Sequence, residues 1–280
     1  MKLKFSKMHG LGNDFMVIDA INQPFKPEPE VIRGWANRFN GIGFDQMLIV
    51  EAAESDQAAF KYRIFNADGG EVSQCGNGAR CFARFVREQN MTDLDIIPVE
   101  TNAGLLQLQM IDSSRVRVNM GVPLFEPEQI PLLTETRQPL YTLSSGGAEL
   151  RFSALSIGNP HMVIQVEDVD LAPVEDLGPL LESHELFPDR INVGFMQVLD
   201  REHFKLRVFE RGVGETRACG SGACAAHVSA CQLGIIDNKA TAHLTGGDLN
   251  LEWQGEQNPV MMTGETAMVF QGEIDYKNRI

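Results

Sequence analysis

Two cysteines, Cys75 and Cys219, open the same five-residue run, Cys-Gly-x-Gly-Ala. In both places an apolar, strand-like segment lies upstream and a small-residue segment of helical period lies downstream. Each cysteine therefore belongs where a strand has ended and a helix begins. A helix N-terminus offers unpaired backbone N–H groups and roughly half a positive charge. The flanking glycines let a ligand approach that backbone. A thiol there is expected to ionise below its usual ~8.5, so that thiolate is accessible near neutral pH. Such a turn can hold a carboxylate and present a sulfur base at once.

The setting is duplicated beyond the five residues. Tyr62 to Ala79 aligns without a gap on Leu206 to Ala223 at an offset of 144 residues. The identical pairs are Arg63/Arg207, Phe65/Phe209, Gly70/Gly214, Glu71/Glu215, Cys75/Cys219, Gly76/Gly220, Gly78/Gly222 and Ala79/Ala223. So long a period excludes a solenoid and indicates two homologous halves. A pseudo-two-fold axis would bring the two turns face to face, with a thiol on either side of one α-carbon. That arrangement inverts a stereocentre: one sulfur removes the α-proton and the other delivers a proton to the opposite face. Backbone N–H groups aimed at the carboxylate would stabilise the charge that develops there.

The elements that must carry these turns follow the same plan twice. In the first half, strands are expected at Leu3 to Phe5, Met16 to Ile18, Met47 to Val50 and Phe60 to Phe65. Val31, Trp35 and Phe39 give Glu30 to Arg38 a helical spacing. Ala79, Phe82, Ala83 and Val86 predict a central, buried helix from Gly78 to about Gln89. Pro98 to Met110 and Ser114 to Met120 read as strands. In the second half, strands are expected at Leu150 to Ile157, Lys205 to Phe209, Thr241 to Trp253 and Ala267 to Phe270, with a small-residue helix over Ala223 to Cys231. Gly12-Asn13 and Gly158-Asn159 stand before corresponding strands in both halves. The fold class is therefore α/β of the α+β type. Residues 1–120 form one half and 121–264 the other, with 265–280 returning to the first.

Net charge is −14 across 280 residues, and no Lys/Arg cluster stands out, which argues against a nucleic-acid or anionic-membrane surface. No apolar run reaches the length of a membrane span, and the N-terminal residues lack the apolar stretch of a signal peptide. Five cysteines without a Cys-x-x-Cys spacing fit thiols in a reducing cytoplasm better than a disulfide framework or a metal site.

The segments MHGLGNDF (8–15), FNADGGEVSQCGNGARC (65–81), GNPHMV (158–163) and ERGVGETRACGSGACA (210–225) resemble those of the diaminopimelate epimerases over nearly the whole chain. The resemblance implies two pseudo-symmetric domains, each a mixed, mostly antiparallel sheet curled around a central helix, with the active site in the cleft between them. It implies an isomerase that interconverts L,L- and meso-diaminopimelate, a lysine and peptidoglycan precursor, without a cofactor or metal. Cys75 and Cys219 match the acid/base pair. Gly76, Asn77, Gly220 and Ser221 match the residues that hold the reacting carboxylate. Asn13, Gln46, Asn66, Asn159, Asn192, Glu210 and Arg211 match substrate-binding positions. Glu210 suits the reacting ammonium; Asn66, Asn159, Asn192 and Arg211 suit the distal amino-acid end. His161 and Glu210 are the residues expected to tune the thiols. The implied partner is a small amino-acid substrate, and a homodimer is the expected assembly.

Other readings are weaker. Cys81, Cys224 and Cys231 lie within the helices and read as small core residues; His9 reads as structural. Gly220 to Ala225 fits G-x-G-x-x-A, but the preceding strand ends about ten residues too early for a dinucleotide turn. A two-cysteine proline or hydroxyproline racemase lacks use for the Asn/Arg set, and a thiol redox protein would need a resolving partner that the sequence does not supply.

Overall fold

The structure, a computed structural model, describes residues 2–73, 75–145 and 148–276. Gln74 of the first repeat and 277–280 of the expected return segment lie outside the described residues. Two compact units are formed, one of residues 2–118 with 264–276 and one of 119–263.

The first unit contains β1 (Lys2–Gly10), β2 (Asn13–Asp19), α1 (Pro29–Ala36), β3 (Gln46–Ala52), β4 (Phe60–Asn66), β5 (Glu71–Val72), α2 (Gly76–Glu88), β6 (Ile96–Thr101), β7 (Gly104–Met110) and β8 (Arg115–Asn119). The second contains β9 (Tyr141–Ser145), β10 (Ala148–Ser156), β11 (Pro160–Gln165), α3 (Val174–Glu182), β12 (Asn192–Val198), β13 (His203–Glu210), β14 (Gly214–Thr216), α4 (Gly220–Gln232), β15 (Lys239–Leu244) and β16 (Gly247–Glu252), and β17 (Met261–Glu265) spans the chain boundary between the two. The last strand, β18 (Ala267–Asp275), pairs antiparallel with β1 in the first unit.

Strand order in the first sheet is β18-β1-β2-β3-β4-β6-β7-β8, with β5 folded back on β4. The pairs β2/β3 and β4/β6 are parallel; the others are antiparallel. The second sheet runs β9-β10-β11-β12-β13-β15-β16, with β14 on β13 and with β11/β12 and β13/β15 parallel. The two parallel steps recur at the same places, each spanning a crossover that carries a helix.

Side-chain alternation sorts each sheet into two faces. Met47 and Ile49 of β3 join Trp35, Ile32 and Val31 of α1 in one core cluster. Leu48 of β3 and Ile64 and Tyr62 of β4 face α2 instead. α2 packs against β1, β2, β3, β4 and β7, and α4 against β10, β11, β12, β13, β15 and β16. Each central helix is thus covered from both flanks of its own sheet, which is why Ala79, Cys81, Phe82, Ala83 and Val86, and almost all of α4 to Ala230, are buried. Cys81 and Cys224 are core residues, as expected; burial pushes the Cys81 thiol up to about 12.

Several sequence expectations shift. Both central helices start earlier, at Gly76 and Gly220, directly after the cysteines. α1 stops at Ala36, because the Asn37 side chain accepts the N–H groups of Phe39 (2.9 Å) and Asn40 (3.0 Å) and turns the chain away. Phe39, expected on the helix's apolar face, is 96% exposed. Thr241 to Trp253 is not one strand; a turn at 245–246 folds it into the hairpin β15–β16. The helix α3 was not expected, since Gly178 and Pro179 lie inside it. Among the described residues no helix is long and apolar enough to cross a membrane.

Candidate active site

The parallel pairing of β2 with β3 and the antiparallel pairing of β3 with β4 bring the start of β2, the start of β3 and the end of β4 to one end of the first sheet. Phe15 is level with Gln46, and Gln46 with Asn66. Asn13, Gln46 and Asn66 therefore share that end. The turn Gly12-Asn13 depends on a φ of +85° at Gly12, and Gly158 repeats it at +81° before Asn159. In the second sheet His161 is level with Asn192, and Asn192 and Glu210 are the positions just past the Val193/Phe209 pair. Asn159, His161, Asn192, Glu210 and Arg211 thus collect at the corresponding end.

Cys75 and Cys219 are the residues immediately before α2 and α4, both in extended backbone, with φ of −146° and −111°. The second glycine of each run sets how closely its helix approaches its sheet. A Cβ on Gly78 would stand 2.4 Å from the Tyr62 hydroxyl, and one on Gly222 would stand 3.0 Å from Val208 Cγ2. The Tyr62 hydroxyl donates to the Cys75 carbonyl oxygen (3.3 Å), tying the first turn to β4.

In the first unit the half-buried Cys75 thiol lies 3.7 Å from Asn13 Oδ1. Gln46 Nε2 donates to Asn66 Oδ1 (2.9 Å), and Gln46 Oε1 is a buried acceptor without a partner among the described residues. Asn77 is buried, and its Oδ1 accepts from Nη2 of the fully buried Arg80 (2.9 Å).

In the second unit Cys219 Sγ accepts from the Gly222 backbone N–H (3.4 Å) and lies 3.6 Å from Ser221 Oγ. The Glu210 carboxyl faces the same thiol and also accepts from Thr216 Oγ1. The expectation of an acidified thiol fails at Cys219. Burial, and then the neighbouring Glu210 charge, push this thiol well above the ordinary cysteine range; the hydroxyl of Ser221 and the N–H of Gly222 pull down by less. Only 4% of Cys219 is exposed, and desolvation outweighs the helix terminus. Burial likewise raises Glu210, against the hydrogen bonds from Thr216 and Cys219.

His161 is 1% exposed, and burial reinforced by the Arg211 charge lowers it to about 3. It is therefore neutral at physiological pH, with Nε2 at 3.0 Å from Asn159 Oδ1. Asn192 spends its amide on backbone: Nδ2 donates to Pro160 O (2.8 Å) and Oδ1 accepts from Arg211 N (3.0 Å). The Arg211 guanidinium donates to Asp189 O (2.9 Å). The site residues thus form one group in each unit: Asn13, Gln46, Asn66, Cys75, Gly76 and Asn77 in the first, and Asn159, His161, Asn192, Glu210, Arg211, Cys219, Gly220 and Ser221 in the second. Sequence reasoning missed Thr216, Tyr62 and Arg80. In the repeat Thr216 aligns with the unlike Val72, and Tyr62 with the unlike Leu206.

This architecture is shared with solved structures of low sequence similarity. A hydroxyproline epimerase from Agrobacterium vitis with bound trans-4-hydroxy-L-proline superposes with a TM-score of 0.71 at 15% identity, over 99% of this chain and 93% of that one. A PhzF-family phenazine biosynthesis protein from Bacillus anthracis gives 0.68 at 15% identity, over 98% and 99%. The fold is thus that of the racemase, epimerase and PhzF group of two-unit α/β proteins.

Within that group the assignment is narrower. The family model described as diaminopimelate epimerase matches residues 5–126 and 153–269. Diaminopimelate epimerases of Nitrosomonas europaea and Chromobacterium violaceum are 54% and 53% identical to this chain over 275 residues, covering 98% of it and 100% of each relative. The chain belongs to the diaminopimelate epimerase family.

Proposed function

We propose that this protein interconverts L,L- and meso-diaminopimelate, with Cys75 and Cys219 as the two proton-transfer groups and without a cofactor. The observation that supports this reading is the occurrence, in each unit, of a cysteine at a helix N-terminus beside polar groups gathered at the strand ends. Gly76, Asn77, Gly220 and Ser221 bind the reacting carboxylate, largely through backbone N–H groups, and Glu210 receives the reacting ammonium. Asn66, Asn159, Asn192 and Arg211 take the distal amino-acid end, with Asn13 and Gln46 completing the substrate contacts. One thiol serves as base while the other delivers a proton to the opposite face, and the roles reverse in the other direction. Neutral His161 and the Glu210 carboxyl set the protonation of the thiols. The same reading places the enzyme in the cytoplasm, acting on a free amino acid.

Incubation with L,L-diaminopimelate, proline or lysine in deuterated water tests it. Deuterium is expected at one α-carbon of diaminopimelate and in neither other amino acid. Exchange into proline instead would assign the racemase activity, and no exchange into any of the three would overturn the reading.

A further inference from the structure

We propose that Asp45 is a positioning residue that holds the Asn13 amide with its oxygen toward the Cys75 sulfur. This rests on the reading above, in which Cys75 moves a proton.

The argument starts from the parallel register of β2 and β3. That register sets the residues before Gln46 beside Asn13 and Asp14. Asp45 N donates to Asp14 O (3.0 Å) and to Asp14 Oδ1 (2.9 Å), and Asp14 N returns a bond to Asp45 Oδ2 (3.1 Å). Arg38 then clamps both carboxylates. Its Nη1 donates to Asp14 Oδ2 (3.0 Å), and its Nη2 donates to Asp14 Oδ1 (2.8 Å) and Asp45 Oδ1 (2.6 Å). Lys7 donates to Asp14 Oδ2 (2.5 Å), so Asp14 carries two cations and stays ionised. The Asp45 carboxylate is fixed by this set before any side chain of the site is counted.

An ionised carboxylate only accepts hydrogen bonds. Asn13 Nδ2 lies 3.1 Å from Asp45 Oδ2, so the NH₂ end of the amide must point there. The amide is planar, and its oxygen is turned to the other side, where Cys75 Sγ lies at 3.7 Å. Cys75 therefore meets an acceptor, which favours S–H over S⁻. Tyr62 on β4 and Cys81 on α2 also act electrostatically on Cys75, and the Arg80 cation on α2 bonds the carbonyl of the next residue, Gly76. None of these contacts Asp45. The corresponding residue of the second unit by strand register is Ile191, an apolar side chain, so this device belongs to the first thiol alone.

The test follows Cys75 by mass spectrometry during alkylation with iodoacetamide across pH, which reads its ionisation without turnover. In Asp45→Asn the new side-chain NH₂ can donate to Asn13 Oδ1. The Asn13 amide then turns its NH₂ to the sulfur and stabilises thiolate. The Cys75 midpoint is expected to fall by about one pH unit, a tenfold gain in thiolate at a given pH. Asp45→Glu keeps an acceptor and should hold the wild-type midpoint. In an Asn13→Ala background Asp45→Asn should have no further effect, because the relay is gone. An unchanged midpoint in Asp45→Asn, or a shift that persists in Asn13→Ala, overturns the proposal. If Asp45→Asn does not fold, Asn13→Ala alone decides: its midpoint must fall, and an unmoved one overturns the proposal. A failed epimerisation assay with these midpoints as expected would count against the proposed function only.

Discussion

Arg63 and Glu71 meet through two parallel bonds, Nε to Oε1 at 2.7 Å and Nη2 to Oε2 at 2.8 Å, and Arg207 and Glu215 repeat the pair 144 residues later at the same two distances. Two of the eight identical pairs in the repeat are thereby explained without catalysis. Each pair staples the short return strand, β5 or β14, to the strand before it, and so fixes the segment that leads to the cysteine. Both side chains of the first pair are more than two-thirds buried, so the pair is worth more than an exposed one.

Because the fork is what matters, Arg63→Lys should be nearly as damaging as Arg63→Met. A double-mutant cycle with Glu71→Gln in urea should return a coupling of about 1–2 kcal/mol. Arg63 holds Glu71 below the usual carboxylate range. Its contribution is thus complete above about pH 4.5 and disappears as pH falls through the lowered value. A coupling that is the same at pH 7 and pH 2 would contradict this.

The glycines one turn into the two helices separate by what a methyl group would strike. On Gly78 it meets the Tyr62 hydroxyl at 2.4 Å and Leu48 Cδ2 at 3.1 Å; on Gly222 its nearest neighbours are Val208 Cγ2 at 3.0 Å and the Cys219 sulfur at 3.2 Å. Gly78→Ala should cost about 1–3 kcal/mol by urea denaturation and should loosen the Cys75 turn, since Tyr62 anchors it. Gly222→Ala should cost less stability and show its effect on Cys219 reactivity. Equal denaturation midpoints for Gly78→Ala and the parent would show that the helix can shift freely, against the packing described.

How much of this could be read from residues alone depends on range. The turns at Cys75 and Cys219 were legible because their determinants are local and occur twice. The end of α1 was missed although Asn37 announced it, because the spacing of Val31, Trp35 and Phe39 outweighed one side-chain turn. The relation of Asp45 to Asn13 was out of reach: it needs the register of two strands more than twenty residues apart. The direction of the Cys219 shift was misjudged for a different reason. The helix terminus is visible in sequence, whereas the desolvation that overrides it follows from burial by the rest of the unit.

That burial makes a separate forecast for Glu210. Its charge is the second cause holding the Cys219 thiol up. Glu210→Gln should lower the pH midpoint for Cys219 alkylation while leaving it above the ordinary value, because burial remains. Cys75 should not respond in the same assay. Should Cys219 keep its midpoint in Glu210→Gln, the carboxyl has no electrostatic hold on the sulfur.

Two histidines set how the fold responds to mild acid. His161 is lowered to about 3 by burial and the Arg211 charge, and His227 to about 4 by burial, against a bond to Asn238 O at 3.3 Å. Here the unfolded chain binds the proton first. Both side chains therefore leave stability untouched above about pH 6.5 and withdraw it as pH falls below that value. Between pH 6.5 and 5 each should remove roughly 2 kcal/mol. His227 lies outside the site, 0% exposed within α4, and offers the cleaner test. His227→Gln should lower stability at pH 7 and flatten the decline between pH 7 and 5 by about that amount, read from urea midpoints at each pH. An unaltered slope would mean that His227 takes up its proton as readily in the folded protein as in the unfolded chain.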